Sequence, residues 1–259
     1  MMNTAAVLSA FDQQLRRNAP PDDSQSTVEF TGDVVRQTST ASGWNGVLWS
    51  DLREETADAV IAQQIAHFTA HGLGFEWKHY AHDQPADLPQ RLLAAGFVAE
   101  PRETLVIGES AAQAVEVPVP AGITLRPVLD ADGVDLMMRV HEQAFGTDSG
   151  RLRHWVLNQM AALGDCFAAV VAMHGDLPVS AGRVLLHEGT DFASLWSGGT
   201  VPEWRGRGIY RSLVAHRARY AAERGYRYLQ VDASDDSRPI LERLGFAALT
   251  VTTPFQYTP

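Results

Sequence analysis

A glycine- and arginine-rich turn is the stretch of this sequence best suited to bind a ligand. Residues 196–214 open with apolar side chains, pass through Gly206 and Gly208, and then repeat apolar residues at helical spacing. A helix that begins near either glycine leaves its first backbone amides unpaired, and its dipole adds partial positive charge. The pattern predicts an anion site suited to pyrophosphate, surrounded by Arg205, Arg207 and Arg211; the alternative is an ordinary glycine turn beside a solvated arginine face.

Two common nucleotide-binding loops do not fit this turn. A Walker loop requires Gly-Lys-Ser/Thr, which is absent here. The Rossmann fingerprint requires a third glycine, and Arg211 stands at that position. A different phosphate-binding loop is therefore needed to explain the pattern.

The segment from Pro202 to Tyr210 resembles the acetyl-CoA loop of the GNAT superfamily of N-acetyltransferases, whose pattern is Gln/Arg-x-x-Gly-x-Gly/Ala. Arg205 and Gly208 match, whereas Tyr210 stands at the final Gly/Ala position and has to turn its ring away from the phosphates. The resemblance implies an acetyl-CoA-dependent N-acetyltransferase that acts by direct transfer on a small amine or an amino-acid amine. The cofactor-binding residues that it implies are Gly199, Thr200, Val201, Arg205, Gly206, Arg207, Gly208, Ile209, Tyr210 and Arg211. The amides of the first three would pair with the pantetheine arm and polarise the thioester carbonyl.

The elements that must position this loop follow it in the order that the family shows. A strand is predicted at 226–232 and a short helix at 238–244, which ends in Gly245-Phe246. Helices are predicted at 134–144 and 152–161, and a hairpin turns at Gly175-Asp176. The resemblance therefore covers residues 122 to about 257, and a proline-rich linker at 115–120 separates them from the rest.

The first half repeats part of this order, which indicates an internal duplication. Five pairs of residues lie 149 positions apart, namely Trp77/Tyr226, Asp83/Asp232, Leu92/Leu241, Gly96/Gly245 and Phe97/Phe246. The first copy has no glycine loop, and Glu54 and Glu55 would repel phosphate. We therefore expect an α/β chain of the α+β type with two GNAT-like domains, each a mixed, mostly antiparallel sheet flanked by helices. Residues 1–115 would form a degenerate domain without a cofactor loop, and residues 116–259 the acetyltransferase domain.

The residues that would transfer protons are indicated less clearly by the sequence than the cofactor loop is. Members of the family often place a tyrosine acid four residues before the Gly-Phe pair, and this sequence has Leu241 there. Substitute acids are Ser237, Tyr210 and Tyr257, and candidate bases are Asp232, Asp191 and Glu142. We take Asp232, Ser237 and Tyr257 as the catalytic candidates. Their structural alternatives are, in the same order, a strand end, a helix cap and a core tyrosine. The early helices would line the acceptor site with His141, Glu142, Phe145, His154 and Trp155.

Composition limits the partners. The net charge is −10, and residues 1–115 carry 7 basic against 15 acidic side chains, so a broad nucleic-acid surface is not expected. A small-molecule amine is the expected partner, a homodimer stays open, and neither a membrane span, a secretory leader nor a metal site is indicated. We expect a cytoplasmic location. The single cysteine, Cys166, lies in an apolar strand and is assigned no chemistry.

A second function class competes with catalysis. The missing tyrosine at Leu241 and the unusual Tyr210 are also compatible with a non-catalytic CoA-binding or interaction protein. Release of thiol from acetyl-CoA would discriminate between the two.

Overall fold

A computed structural model describes residues 2–40 and 43–259 of the chain. The chain forms two compact units. Unit 1 consists of residues 1–106, 232–240 and 247–259, and unit 2 consists of residues 107–231 and 241–246. Each unit is an α/β structure with a mostly antiparallel sheet flanked by helices, which confirms the predicted fold class.

The helices and strands of the described residues are numbered in chain order. The helices are α1 (Thr4–Phe11), α2 (Ala57–Ala70), α3 (Leu88–Ala94), α4 (Ser110–Gln113), α5 (Ala131–Phe145), α6 (Gly150–Leu163), α7 (Ile209–Glu223) and α8 (Arg238–Arg243). The strands are β1 (Thr27–Phe30), β2 (Val34–Thr38), β3 (Gly46–Ser50), β4 (Phe75–Tyr80), β5 (Val98–Ala99), β6 (Glu103–Glu109), β7 (Ile123–Pro127), β8 (Phe167–His174), β9 (Leu177–Leu186), β10 (Phe192–Thr200), β11 (Tyr228–Ala233) and β12 (Ala247–Tyr257). A π-helical turn (Asp12–Arg17) and two short 3-10 turns (Gly164–Cys166 and Pro202–Trp204) complete the set.

The sheet of unit 1 runs in the order β1-β2-β3-β4-β12. All neighbours are antiparallel except β3 and β4, which pair in parallel at two positions, Gly46 with Glu76 and Val47 with Trp77. Helix α2 makes the connection that a parallel pair requires. The apolar faces of α2 and α3 pack on this sheet around Ile61, Phe68, Trp77, Leu88, Leu92 and Phe97.

Strand β12 divides the chain differently from the boundary predicted near residue 115. Its residues Thr252–Tyr257 pair with the whole of β4, so the last strand of the chain completes unit 1 rather than unit 2. Phe255 is buried in the unit 1 core as a result. The two units are therefore not two consecutive segments, because pairing between distant strands is not visible in local sequence patterns.

The sheet of unit 2 runs in the order β11-β10-β9-β8-β7. Only β10 and β11 are parallel, and α7 connects them. Alternate residues of β8 face opposite sides: one side packs against α5 and α6, and the other packs against Ile209 and Leu213 of α7. The predicted helices at 134–144 and 152–161 correspond to α5 and α6, and the strand predicted before Pro202 is β10.

Among the described residues, no helix is both long and apolar enough to span a bilayer.

Candidate functional site

Strand β10 of unit 2 separates from β11 partway along its length. The parallel pairing covers Phe192 to Ser194 and ends there, whereas pairing with β9 continues on the other edge to Thr200. A bulge lies between Trp196 and Gly199, where Ser197 adopts a positive φ of 51°. A bulge of this kind bends a strand and ends its pairing. The part of β10 beyond Ser194 therefore has backbone groups available on its β11 side.

The glycine turn follows directly on this open strand end. Gly206 and Gly208 have φ values of +73° and +83°, a region that side chains rarely adopt, and no atom lies within 4 Å of a Cβ placed at 206. Gly208 caps α7 without a side-chain hydrogen bond, so the first amides of the helix have no capping partner. The turn and the helix start therefore fit a phosphate-bearing ligand, as the sequence indicated.

Two of the three arginines at the turn, Arg205 and Arg207, make hydrogen bonds to backbone carbonyl oxygens. Arg205 donates from Nε to the carbonyl oxygen of Thr200 (3.1 Å) and from Nη2 to that of Ala144 (3.1 Å). Arg207 donates to the carbonyl oxygen of Glu203 (3.0 Å) and stacks over the ring of Trp204. These two guanidinium groups are held by backbone carbonyls, and Arg205 thereby ties the end of α5 to the end of β10.

Tyr210 turns its ring away from the turn, which explains how it replaces a small residue. A Cβ at position 198 would lie 3.1 Å from Cε2 and 3.3 Å from the hydroxyl of Tyr210, so the ring lies against the bulge of β10. Burial raises the pKa of this phenol, and the neighbouring Arg217 lowers it. The absence of a side chain at Gly198 makes room for the ring.

Two buried arginines of unit 2, Arg183 and Arg217, were not predicted from the sequence. Arg183 lies on β9 with its guanidinium over the ring of Trp155, 4.5 Å from its centroid, and Arg217 lies on α7. Both are fully buried. Each arginine stands at an inward-facing position of an otherwise apolar element, a strand in one case and a helix face in the other. A buried arginine is uncommon unless its charge has a role, and this pattern could have identified them.

The predicted acceptor residues on α5 and α6 differ in exposure and contacts, although the rings of His141 and Phe145 lie together with centroids 4.8 Å apart. Phe145 is 51% exposed, and its ring would lie 2.9 Å from a Cβ at Gly199, so it borders the open end of β10. Glu142 accepts a hydrogen bond from Ser149 (2.6 Å), which closes the turn between the helices. Burial, and then Arg183, lowers the pKa of His141. His154 is exposed.

The three catalytic candidates lie in unit 1, whereas the glycine turn lies in unit 2. Asp232 forms an ion pair with Lys78 Nζ at 2.5 Å, and its side chain is 3% exposed. Ser237 directly precedes α8, and its hydroxyl donates to the carbonyl oxygen of Ser234 (3.3 Å). Tyr257 packs against the rings of Phe75 and Phe97 in the unit 1 core. The contacts of Tyr257 agree with the core alternative stated for it, whereas Asp232 lies within β11 and is held by Lys78 rather than ending the strand.

A charged cluster around Asp232 in unit 1 was also missed. Burial lowers the pKa of Lys78, but Asp232, Tyr80 and Glu76 together outweigh this and leave the pKa well above its ordinary range. Burial, and then Asp232, raises the pKa of Glu103 to about 7. Of these residues, only Asp232 could be singled out from the sequence, because it ends the predicted strand at 226–232. The groups around it come from distant strands.

Comparison with known proteins supports a family for part of the chain. A family model described as the acetyltransferase (GNAT) family matches residues 134–246, which include β10, the glycine turn and α7. No curated protein matches the sequence.

Solved structures show the same fold over a larger part of the chain. A GCN5-related N-acetyltransferase from Kribbella flavida is 17% identical, with a TM-score of 0.71 over 100% of this chain and 97% of that one. A conserved protein of unknown function from Staphylococcus epidermidis is 13% identical, with a TM-score of 0.67 over 93% and 96% of the two chains. A tandem GNAT protein from the clavulanic acid biosynthesis pathway, solved without AcCoA, is 14% identical, with a TM-score of 0.59 over 92% and 84%. The fold is shared with these structures, and residues 134–246 are similar to the GNAT acetyltransferase family.

Proposed function

We propose that this protein is an acetyl-CoA-dependent N-acetyltransferase that transfers the acetyl group directly to a small amine or an amino-acid amine. The observation that carries the proposal is the end of the β10–β11 pairing at Ser194 and Gln230, directly before the glycine turn. An open strand edge offers backbone partners to a peptide-like arm, and the turn offers amides to its phosphates. The family model that supports acetyl transfer matches residues 134–246, which include this strand edge and the turn.

Each part of the donor has a matching part in unit 2. The amides from Gly206 to Arg211 would hold the pyrophosphate at the start of α7. The two glycines carry no side chain and no side chain caps the helix, so a ligand can approach these amides. The amide of Val201 donates to the carbonyl oxygen of Val179 (3.0 Å), so it does not take the role that the resemblance implied for it. The backbone of Gly199 and Thr200 would pair with the pantetheine arm and polarise the thioester carbonyl. Arg205 contributes indirectly, because its hydrogen bonds to Thr200 and Ala144 fix the strand end that carries these amides.

Phe145 is the residue that we assign to the acceptor side of the open strand end. Its ring borders Gly199 and is half exposed, so an acceptor that reaches the thioester would contact it. An amine must lose a proton to act as a nucleophile, and the net charge of −10 favours a cationic acceptor. The identity of the acceptor stays open among small amines and amino-acid amines.

We further propose that residues 1–115 derive from a degenerate copy of the same domain. Parallel pairs β3–β4 and β10–β11 are each connected by one helix, and both separate after two or three residue pairs. The matched turns also agree: Gly96 and Gly245 have φ values of 96° and 94°, and the residue after each bonds back to a fully buried leucine. Such agreement supports duplication, as does the tandem arrangement named for the clavulanic acid pathway protein.

In unit 1 the place where β3 and β4 separate is filled by the chain itself. Arg16 donates from Nε to the carbonyl oxygen of Leu48 (3.1 Å), one residue beyond the last pair of the two strands. The same guanidinium donates from Nη2 to both carboxylate oxygens of Asp83 (2.8 Å each), which follows β4. Arg205 joins β10 to α5, whereas the buried Arg16 guanidinium joins β3 to the residue that follows β4, and so it occupies the gap in which a pantetheine arm would lie. We therefore assign acetyl-CoA binding to unit 2.

Calorimetry with acetyl-CoA tests the proposal on the full chain, since β12 is needed by unit 1. We expect one site per chain and loss of binding in Gly208→Asp, because a carboxylate there repels phosphate. Gly225→Asp is the matched control: Gly225 follows α7 with a φ of +84°, close to the +83° of Gly208, so the backbone strain is similar. Absence of binding to the folded wild type, or equal binding by both variants, would refute the proposal.

The alternative of a non-catalytic CoA-binding protein is favoured by one observation, the full burial of Leu241 at the position where the family often has tyrosine. Incubation with acetyl-CoA and a panel of amines, with thiol release as readout, separates the two. Tight binding without thiol release on any amine supports the alternative. A cytoplasmic location and a homodimer stay predictions.

A further inference from the structure

The proposed reaction releases a thiolate that needs a proton. The position at which the family often has a tyrosine acid is occupied by Leu241 in this chain. Leu241 is completely buried, so no polar group acts from that position. A departing thiolate is stabilised by an acid or by a cation within hydrogen-bond reach. Such a group has to come from another element that lies against the open end of β10.

Tyr210 places a hydroxyl against the bulge of β10, four residues beyond Ser194, where the pairing with β11 ends. It is the second residue of α7, and its ring lies against Gly198 in the bulge, with the hydroxyl 3.3 Å from a Cβ at that position. Any larger residue at 198 would meet the ring at 3.1 Å. The phenol therefore lies against the bulged segment of β10 that precedes Gly199.

Arg217 places a buried cation beside that phenol. Its Nε donates to the carbonyl oxygen of Leu213 (3.1 Å) and its Nη1 to that of Arg183 (3.2 Å), and Nη2 lies 3.5 Å from a Cβ at Gly198. The residue is 2% exposed, and among the residues that the structure describes no carboxylate forms an ion pair with it. Gly182 on β9 makes the space, because a Cβ there would lie 2.7 Å from Nη1.

A buried cation without a carboxylate favours a neighbour that can become negative. Burial lowers the pKa of Arg217, and the phenol of Tyr210 opposes that effect. Tyr210 remains protonated at neutral pH, since burial raises its pKa, yet its anion would be stabilised by the guanidinium. These are the properties of a group that holds a proton until a stronger base appears next to it.

We propose that Tyr210 is the acid that protonates the departing CoA thiolate, and that Arg217 is a positioning residue that stabilises the phenolate. The amine nitrogen forms the new C–N bond, the C–S bond breaks with its electron pair on sulfur, and the hydroxyl proton of Tyr210 passes to that sulfur. The proton lost by the amine passes to solvent, which reprotonates Tyr210. This inference rests on the proposed function, because it needs acetyl-CoA on β10.

A binding experiment tests the pair without any acceptor. CoA and desulfo-CoA, which lacks the thiol, are compared by calorimetry at pH 6 and pH 9. A hydrogen bond to a charged group gives about a tenfold preference, so we expect CoA to bind about tenfold more tightly than desulfo-CoA at pH 9 and equally at pH 6. Tyr210→Phe and Arg217→Met should abolish the preference, whereas Tyr220→Phe on the same helix should keep it.

Thiol release from acetyl-CoA, to water or to amines, supplies the second readout. General acid catalysis contributes about 100-fold or more, so Tyr210→Phe should lower kcat by that factor with KM for acetyl-CoA unchanged. The alkaline decline of kcat should move to higher pH in Arg217→Met, because removal of the cation raises the pKa of Tyr210. A preference for CoA that is the same in all variants, or full activity of Tyr210→Phe, overturns the inference; failure of the wild type to bind acetyl-CoA overturns the proposed function instead.

Discussion

Replacement of Glu103 by glutamine should stabilise the protein at alkaline pH and leave it unchanged at acidic pH. Glu103 lies on β6 in unit 1, half-buried among the charges of Asp232, Lys78 and Glu76. Burial, and then Asp232, raises its pKa to about 7 from the ordinary 4.5. Between these values the folded chain keeps a proton that the unfolded chain has lost, so stability falls as the pH rises through this window.

The size of the effect follows from the same two values. The difference between about 7 and 4.5 would amount to about 3 kcal/mol for a charge with no access to solvent. Because the carboxyl is partly exposed, solvent screening reduces this to about 1–2 kcal/mol. Above pH 7 the whole penalty is present, and below pH 4.5 it is absent.

Urea unfolding at pH 8 and pH 4.5 measures the difference. We expect Glu103→Gln to be more stable than the wild type by about 1–2 kcal/mol at pH 8 and equally stable at pH 4.5. Glu100→Gln, at an exposed glutamate shortly before β6, should change neither value. An equal shift of Glu103→Gln at both pH values would show that the carboxyl is not held in its protonated form.

Three other substitutions test the packing described above. Gly182→Ala places a Cβ 2.7 Å from Arg217, and we expect a loss of about 1–3 kcal/mol in thermal unfolding. Arg16→Met leaves Asp83 buried without its bidentate partner and should cost about 3–5 kcal/mol in denaturant unfolding; a loss below 1 kcal/mol would contradict the buried ion pair. Leu92→Ala removes a fully buried side chain and should cost about 2–5 kcal/mol in the same assay.

Local features of the fold were predictable because each depends on short stretches of sequence. The end of β10 before Pro202 and the positive φ values at Gly206 and Gly208 follow from proline and glycine chemistry. The start of α7 at Ile209 follows from apolar spacing. The turns at Gly96 and Gly245 were predictable because both sequences place glycine where a left-handed residue is needed.

Features that depend on distant strands were not predictable. The pairing of β12 with β4 joins residues more than 170 positions apart, and no local pattern encodes it. The ion pair of Lys78 with Asp232 depends on that arrangement within unit 1. At the turn, the charge of Arg205 could be predicted but not its direction, because two backbone carbonyl oxygens from different elements hold its guanidinium.

The place of β12 in unit 1 has a consequence for synthesis. During translation, β4 leaves the ribosome long before β12, and nearly all of unit 2 is made between them. Until β12 arrives, β4 presents an unpaired edge over six residues, which is a template for pairing with other chains. Unit 1 must therefore wait for the last strand, and a ribosome that stops early would release a chain whose first unit is incomplete.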